Sequence, residues 1–313
     1  MPFWTLRVPF SEAMTNLDPV LSHLPSAKRT VLMALVDQLR QVPDMVAIVL
    51  GGSYAGHTHH ATSDLDVGLY YQETAPFDIE AIRAIATAVS EDGNPTVTGF
   101  YAWGAWVNGG AWINTAAGKV DFLYRNLDQI ERTIADAHQG ITQHDYGQQP
   151  AYGFYSVIYL AETEICLPLW DPNGVIATLK KQVAVYPPAL KAKLVNDHLW
   201  SAEFTLLHAR TFAAQGDIYN TVGCLTRAAA NLTQVLFALN ERYFQRDKQV
   251  MQTISNFAVV PPDYAATLSQ ILAHPGATPA ALSTSVDQFA ELWAAVVQLA
   301  GSLYSTEVQC IAQ

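Results

Sequence analysis

Two short apolar runs, Met45–Leu50 and Leu65–Tyr71, bracket a polar stretch that opens on Gly51-Gly52-Ser53 and ends on Ser63-Asp64. Runs of this length, rich in β-branched and aromatic residues and bounded by glycine, predict strands. Successive side chains of a strand point to opposite faces, so Asp64 and Asp66 present two carboxylates on one face. Carboxylates so placed can share a divalent cation such as Mg²⁺, which prefers hard oxygen ligands and keeps positions for substrate phosphates. At the end of the first run, Gly51 and Gly52 let backbone approach a phosphate closely. A helical turn following them would add free N–H groups and the Ser53 hydroxyl as donors.

The flanking segments have clear periods. Ser26 is placed to cap a helix whose Val31, Leu32, Leu35, Val36 and Leu39 recur at helical spacing up to Pro43. Asp78–Ser90 carries Ile79, Ile82, Ile85, Ala86 and Val89 at the same spacing, and Gly93-Asn94-Pro95 breaks it before a β-rich stretch, Thr96–Tyr101. Trp112–Asn114 and Lys119–Arg125 around Ala116-Ala117-Gly118 predict two antiparallel strands and their turn. Asn126-x-x-Gln129 is a capping box for a helix through about His138. Asp121 lies in the second of those strands with Val120 and Phe122 on the other face, so it joins Asp64 and Asp66 if the strands are neighbours.

Beyond the polar Tyr146–Pro150 the character changes, and from about residue 187 nearly every periodic segment is helical. Ala189–Gln215 ends at Gly216, Asp217 caps a long helix through about Phe244, and Pro261-Pro262 and Pro275–Pro279 punctuate two more. At 313 residues two domains are expected, a sheet-containing domain over residues 1–145 and an all-α helical bundle over 146–313, an α+β architecture. No internal repeat or low-complexity tract interrupts this division.

Charge and cysteine usage narrow the function. Lys+Arg 17 against Asp+Glu 28 gives a net charge of −11, which disfavours a nucleic-acid partner because phosphate backbones are met by Lys and Arg. Cys166, Cys224 and Cys310 are far apart and odd in number, so buried thiols in a reducing compartment are expected rather than a disulfide framework or zinc ribbon. The start of the chain lacks the basic and apolar regions of a secretory signal, and uninterrupted apolar runs such as Val31–Val36 fall short of the roughly 18 residues of a spanning helix. A soluble, cytoplasmic protein without a membrane partner is expected.

Gly52-Ser53, a ten-residue insert from Tyr54 to Ser63, Asp64-x-Asp66 and the later strand residue Asp121 resemble the nucleotidyltransferase signature of the DNA polymerase β superfamily. The resemblance covers roughly residues 30–130. Antibiotic nucleotidyltransferases acting on kanamycin or lincosamides are similar in joining such a domain to a C-terminal helical bundle. The resemblance implies a mixed sheet with flanking helices, two Mg²⁺ ions and a nucleoside triphosphate, ATP foremost, whose α-phosphorus is attacked by a substrate hydroxyl while pyrophosphate leaves. It further implies that Gly52 and Ser53, with Ser63, hold the triphosphate, that Asp64 and Asp66 bind both metals, and that Asp121 binds the metal near the attacking oxygen and accepts its proton. Many relatives continue Gly-Ser with Ala-Arg-Gly, where this chain has Tyr54-Ala55-Gly56-His57. A second resemblance, Leu239-Asn240 through Tyr243-Phe244 to Lys248, is to a bundle segment whose lysine faces the nucleotide phosphates.

Other chemistry-bearing residues have ordinary explanations beside the functional one. His57, His59 and His60 lack the spacing of a helical zinc pair and read as a loop. Trp103, Trp106 and Trp112, set among glycines, are expected to pack the sheet against helices, with a substrate-facing role as the alternative. Arg227, Arg242 and Lys248 are expected as surface charge on or near helices. Glu162, Glu164 and Glu203 are candidate general bases indistinguishable from surface carboxylates. The leading expectation is transfer of AMP from ATP to a small-molecule hydroxyl, an aminoglycoside-like cation suiting the negative charge. The rivals are transfer to a protein, as in a toxin–antitoxin modifier, and a nucleotide sensor without turnover.

Overall fold

The computed structural model describes residues 21–60, 62–149 and 151–306; most of the expected N-terminal arm, and Cys310, lie outside them. Contacts divide the chain into two compact units, one holding the chain up to Glu131 with Glu162–Gln182, the other Arg132–Ala161 with the chain from Val183 on. A single cut near residue 145 does not describe these units. The reason lies in a segment after that position that returns to the sheet.

The first unit runs α1 (Ser26–Leu39), β1 (Ala47–Leu50), α2 (Gly52–Ala55), β2 (Leu65–Tyr71), α3 (Ile79–Val89), β3 (Thr96–Val97), β4 (Gly110–Thr115) and β5 (Gly118–Asn126). Helix α4 (Leu127–His138) leaves it, α5 (Val157–Ile165) re-enters, and β8 (Leu167–Trp170) and α6 (Val175–Val183) follow; β6 (His144–Asp145) and β7 (Phe154–Tyr155) belong to the second unit. The six-stranded sheet has the order β3-β4-β5-β2-β1-β8. Strands β2 and β5 are parallel and every other pairing is antiparallel, so the sheet is mixed.

Alternation along the strands sorts the two faces. Leu65, Val67, Leu69 and Tyr71 of β2, Val120, Phe122 and Tyr124 of β5, and Ala111 and Ile113 of β4 are buried in one core with Leu32, Leu35, Val36 and Leu39 of α1 and Ile82 and Ala86 of α3. Helix α3 starts where predicted, the Asp78 carboxylate accepting the Glu80 N–H. The cap expected at Ser26 is not made: Ser26 is the first helical residue, and Pro25 precedes it without a side-chain bond. Asn126 does cap α4, accepting from the Gln129 N–H at 3.3 Å, but the Gln129 side chain donates to the Ala105 carbonyl instead of closing the box.

Two other expectations change. The predicted strand Thr96–Tyr101 is cut to Thr96–Val97 because the buried Asn108 folds the following segment on itself. Its Oδ1 accepts the Tyr101 N–H at 2.9 Å, and its Nδ2 donates to the Tyr71 hydroxyl at 2.7 Å. Strand β8 was not foreseen in the sequence. Its Pro168 argues against a strand interior but is tolerated at a sheet edge, where it stands opposite Val49. Lys180 of α6 fixes this return by donating to the carbonyls of Thr163, Glu164 and Cys166, the acceptors left over at the end of α5.

The second unit is built on α7 (Pro188–Ala214), α8 (Ile218–Leu239), α9 (Val250–Ile254), α10 (Tyr264–Ala273) and α11 (Pro279–Ala300), with the β6–β7 ribbon beside the helical part. Asp217 caps α8 as expected, accepting from the Asn220 N–H. The helix stops at Leu239 rather than near Phe244. Asn240 bonds the Leu236 carbonyl and both polar atoms of Val259, and Glu241 takes a left-handed φ of 53°, turning the chain away. By length and composition α8 is apolar enough to cross a membrane, a point missed by counting uninterrupted runs; 67% of that window is buried within the protein, as in a core helix. Of the cysteines, Cys166 is buried, with its thiol pushed up to about 11 mainly by burial, and Cys224 is half-buried.

Candidate functional site

Burial of Leu65 and Val67 against α1 and α3 turns Asp66, between them, toward the opposite face of the sheet, whereas Asp64 precedes the strand and, among the described residues, is not gathered with Asp66 and Asp121 into a three-ligand group. The register then decides what stands beside Asp66. Asp66 is the direct partner of Asp121 on the parallel strand β5. Asp121 in turn faces Trp112 on β4, and Trp112 faces Thr96 on β3. On the other side the Gly51 N–H donates to the Asp66 carbonyl at 2.8 Å. One row thus crosses the sheet: Gly51, Asp66, Asp121, Trp112, Thr96. Adjacent strands lie about 4.8 Å apart, which brings two carboxylates within reach of one cation.

The turn after β1 is shaped around Asp66. Gly52 has φ +59°, a left-handed conformation that glycine adopts freely, and opens the helical turn α2. A Cβ at Gly52 would lie 1.7 Å from the Asp66 carboxylate oxygen Oδ2, so this carboxylate rests against the bare Gly52 backbone. Ser53 is half-exposed at the start of that turn, and its carbonyl accepts the Thr58 N–H at 2.9 Å. Ser63 closes the other end of the loop, its hydroxyl accepting the His60 N–H at 2.8 Å.

Lys28, which carries no motif in the sequence, stands at the loop that precedes Asp64. It is only 7% exposed, donates from Nζ to the Ser63 carbonyl at 2.9 Å, and lies over the Tyr54 ring. The ammonium therefore anchors the loop at the residue preceding Asp64. The signal was present in α1, where Lys28, Leu32, Leu35 and Leu39 follow one stripe and all are buried. Tyr54 is itself buried with its hydroxyl unpartnered, and its phenol is held above the ordinary value by burial and then by the negative charge of Asp64.

The residues present fit a divalent ion of the Mg²⁺ type in a specific sense. Among the described residues no three His, Cys, Asp or Glu side chains are gathered as a ready-made cage. The Asp66–Asp121 pair supplies hard oxygens on one face and leaves other coordination positions to phosphate and water, the usual mode for Mg²⁺. Of the histidines in the insert, His59 stacks on Tyr54 with ring centroids 4.4 Å apart, and His57 lies tilted at 4.7 Å from His23, a residue not singled out in the sequence. His23 also donates to the Tyr54 carbonyl at 3.0 Å.

Several candidates prove to be occupied elsewhere. Glu162 forms a bidentate pair with Arg125, Nε to Oε2 at 2.8 Å and Nη2 to Oε1 at 2.9 Å, and so neutralises a buried guanidinium. Glu203 is fully buried in the second unit and accepts the Tyr304 hydroxyl, which does not suit a base meeting substrate. Glu164 is exposed. Lys248 belongs to the second unit and is exposed between α8 and α9, and Arg227 and Arg242 are exposed there too. Of Trp103, Trp106 and Trp112, Trp106 is buried, Trp112 is 54% exposed and Trp103 stacks on it.

The Glu162 assignment has a direct check. Glu162→Ala is expected to destabilise the protein by about 3 kcal/mol, because it strands the Arg125 charge in a poorly solvated position. Any catalytic rate per folded molecule should stay unchanged, whereas a general base would lose at least ~100-fold. Chemical denaturation beside a turnover assay separates the two.

A family described as "Domain of unknown function (DUF4037)" matches residues 160–248, a stretch that does not include the Gly-Ser and Asp-x-Asp segment. No curated protein matches the chain. Among solved structures, it is similar to a nucleotidyltransferase-like protein from Exiguobacterium sibiricum 255-15, with 11% identity, a TM-score of 0.46, and coverage of 89% of this chain and 78% of that one. It is also similar to the CdnE cyclic dinucleotide synthase of Elizabethkingia meningoseptica, solved with GTP and Apcpp, with 11% identity, a TM-score of 0.22, and coverage of 84% and 90%.

Proposed function

We propose that the chain is a Mg²⁺-dependent nucleotidyltransferase that moves AMP from ATP to a hydroxyl of a small molecule and releases pyrophosphate. The observation that carries this reading is the register pair Asp66–Asp121 with the Gly52 backbone packed under Asp66. A carboxylate pair beside a glycine-bearing turn is the arrangement that metal-assisted phosphoryl transfer requires: oxygen ligands next to a place where a phosphate can come close to backbone.

In this reading Gly52 and Ser53 receive the triphosphate tail, and Asp64 and Asp66 would hold Mg²⁺ beside it. Bound Mg²⁺ would supply charge neutralisation for the triphosphate and the departing pyrophosphate. Asp121 stands on the far side of Asp66 from the turn, where it orients the acceptor hydroxyl and takes its proton. The new bond joins the acceptor oxygen to the α-phosphorus, the bond from that phosphorus to the bridging oxygen breaks, and pyrophosphate carries the electron pair away. Lys28 keeps the Asp64 end of the loop in place. The acidic balance of the chain, −11, favours a neutral or cationic acceptor over a polyanion.

The test is thermal. ATP with Mg²⁺ at about 100 times its dissociation constant adds about 2.7 kcal/mol, a rise of several degrees in Tm. The shift is expected to need Mg²⁺ and to vanish in the double variant Asp64→Ala/Asp66→Ala. An equal shift in wild type and double variant would place nucleotide elsewhere and overturn the reading. With ATP labelled at the α-phosphorus and cell lysate, a labelled protein band in stoichiometric amount would replace the small-molecule acceptor with a protein.

A further inference from the structure

The row that joins the two carboxylates continues past them to an exposed indole. Trp112 is the direct strand partner of Asp121, so the two side chains share a face. It is 54% exposed, although an indole gains much from burial. Trp103 stacks on it with ring centroids 4.9 Å apart and planes within 18°. The seat for Trp103 exists because position 110, two residues before Trp112 on the same face, is glycine. A Cβ there would come 2.9 Å from the Trp103 ring and 1.8 Å from the Phe122 carbonyl. The fold therefore holds a two-ring slab in fixed register with Asp121.

The order along the row has a direction. From one edge it reads phosphate turn, Asp66, Asp121, Trp112. If the triphosphate enters from the Gly52 side, the attacking hydroxyl must come from the opposite side, and the slab stands there, about one strand spacing beyond Asp121. We infer that Trp112, backed by Trp103, is the acceptor platform: it binds a hydroxyl-bearing ring compound, neutral or cationic, through its indole surface and so delivers the hydroxyl to Asp121. The inference rests on the nucleotidyl-transfer reading and adds the acceptor's chemistry to it. Indole attracts C–H-rich sugar faces, flat heterocycles and cations, and the neighbouring carboxylates repel anions. An acyclic polyol offers the hydroxyl without the ring.

The experiment uses the full chain with Mg²⁺ and the non-transferable analogue α,β-methylene-ATP, then adds uridine, kanamycin or, as acyclic control, sorbitol. Acrylamide quenching of wild type minus Trp112→Phe isolates the Trp112 signal. The analogue is expected to raise Tm in both proteins and leave Trp112 open to quencher, while a ring compound shields it and sorbitol does not. With ATP, Trp112→Ala should raise KM for that acceptor about 10-fold with KM for ATP within about twofold, and Trp112→Phe should restore most of the loss. Shielding by the analogue alone would assign the slab to the nucleobase and overturn the inference. So would a panel in which no ring compound shields Trp112, or an acceptor KM that Trp112→Ala leaves unmoved. An analogue that raises no Tm in wild type fails the underlying reading instead, and the two failures are thereby distinct.

Discussion

Asp66→Asn and Asp121→Asn are each expected to lower nucleotidyl transfer by about 10³-fold while leaving the metal-free protein as stable as wild type or more stable. The two effects have opposite signs for one reason. Asp66 and Asp121 are direct partners on adjacent strands, and like charges so placed repel. Removing one relieves up to about 1 kcal/mol when no cation is present, yet it takes away an oxygen charge needed to hold the metal-bound phosphate or the attacking hydroxyl. Release of pyrophosphate and Tm without Mg²⁺ measure the two. A rate unchanged by Asp121→Asn but abolished by Asp66→Asn would remove Asp121 from the chemistry.

Gly52→Ala is expected to cost at least ~100-fold in transfer and several degrees in Tm, while Gly51→Ala, one residue earlier, costs little of either. At Gly52 the added methyl meets Asp66 Oδ2 at 1.7 Å, and the backbone has a φ of +59° that an L side chain adopts at a cost of about 1 kcal/mol. Either the carboxylate or the turn must move. At Gly51 the nearest atom is the Asp66 carbonyl oxygen at 3.8 Å, an ordinary contact, and φ is −114°. Equal behaviour of the two variants would mean that the contact between Gly52 and Asp66 does not position the carboxylate. Both proteins are compared by denaturation and by rate per folded molecule.

The side of the sheet on which Asp66 and Asp121 of the candidate site stand is legible because strand alternation is a local rule. The pattern Leu65-Asp66-Val67 separates a core face from the face that carries Asp66 whatever the rest of the chain does, and Val120-Asp121-Phe122 repeats it. Lys28 was legible on the same terms, as the charged member of an apolar helical stripe, and was missed because a lysine near a helix start passes for surface charge. Glu162 could not be sorted from other carboxylates, since only the folded chain brings it to Arg125. The expectation that the tryptophans pack the core fails at Trp112 because aromatic composition carries no information about which face of a strand is covered.

The helical stripes, the placement of Asp66 on the face of β2 away from the core and the helical character beyond residue 187 are written in local sequence, because each follows from periods of two or 3.6 residues, and the turn at Gly51-Gly52 from the freedom of glycine. Tertiary structure alone decided that β5 lies beside β2 in parallel, that Asp121 therefore faces Asp66 and Trp112, and that β8 returns to the sheet edge against β1. Those pairings join segments distant along the chain. They are selected by which apolar faces can be buried together against α1 and α3, a condition on the whole unit that no local window contains.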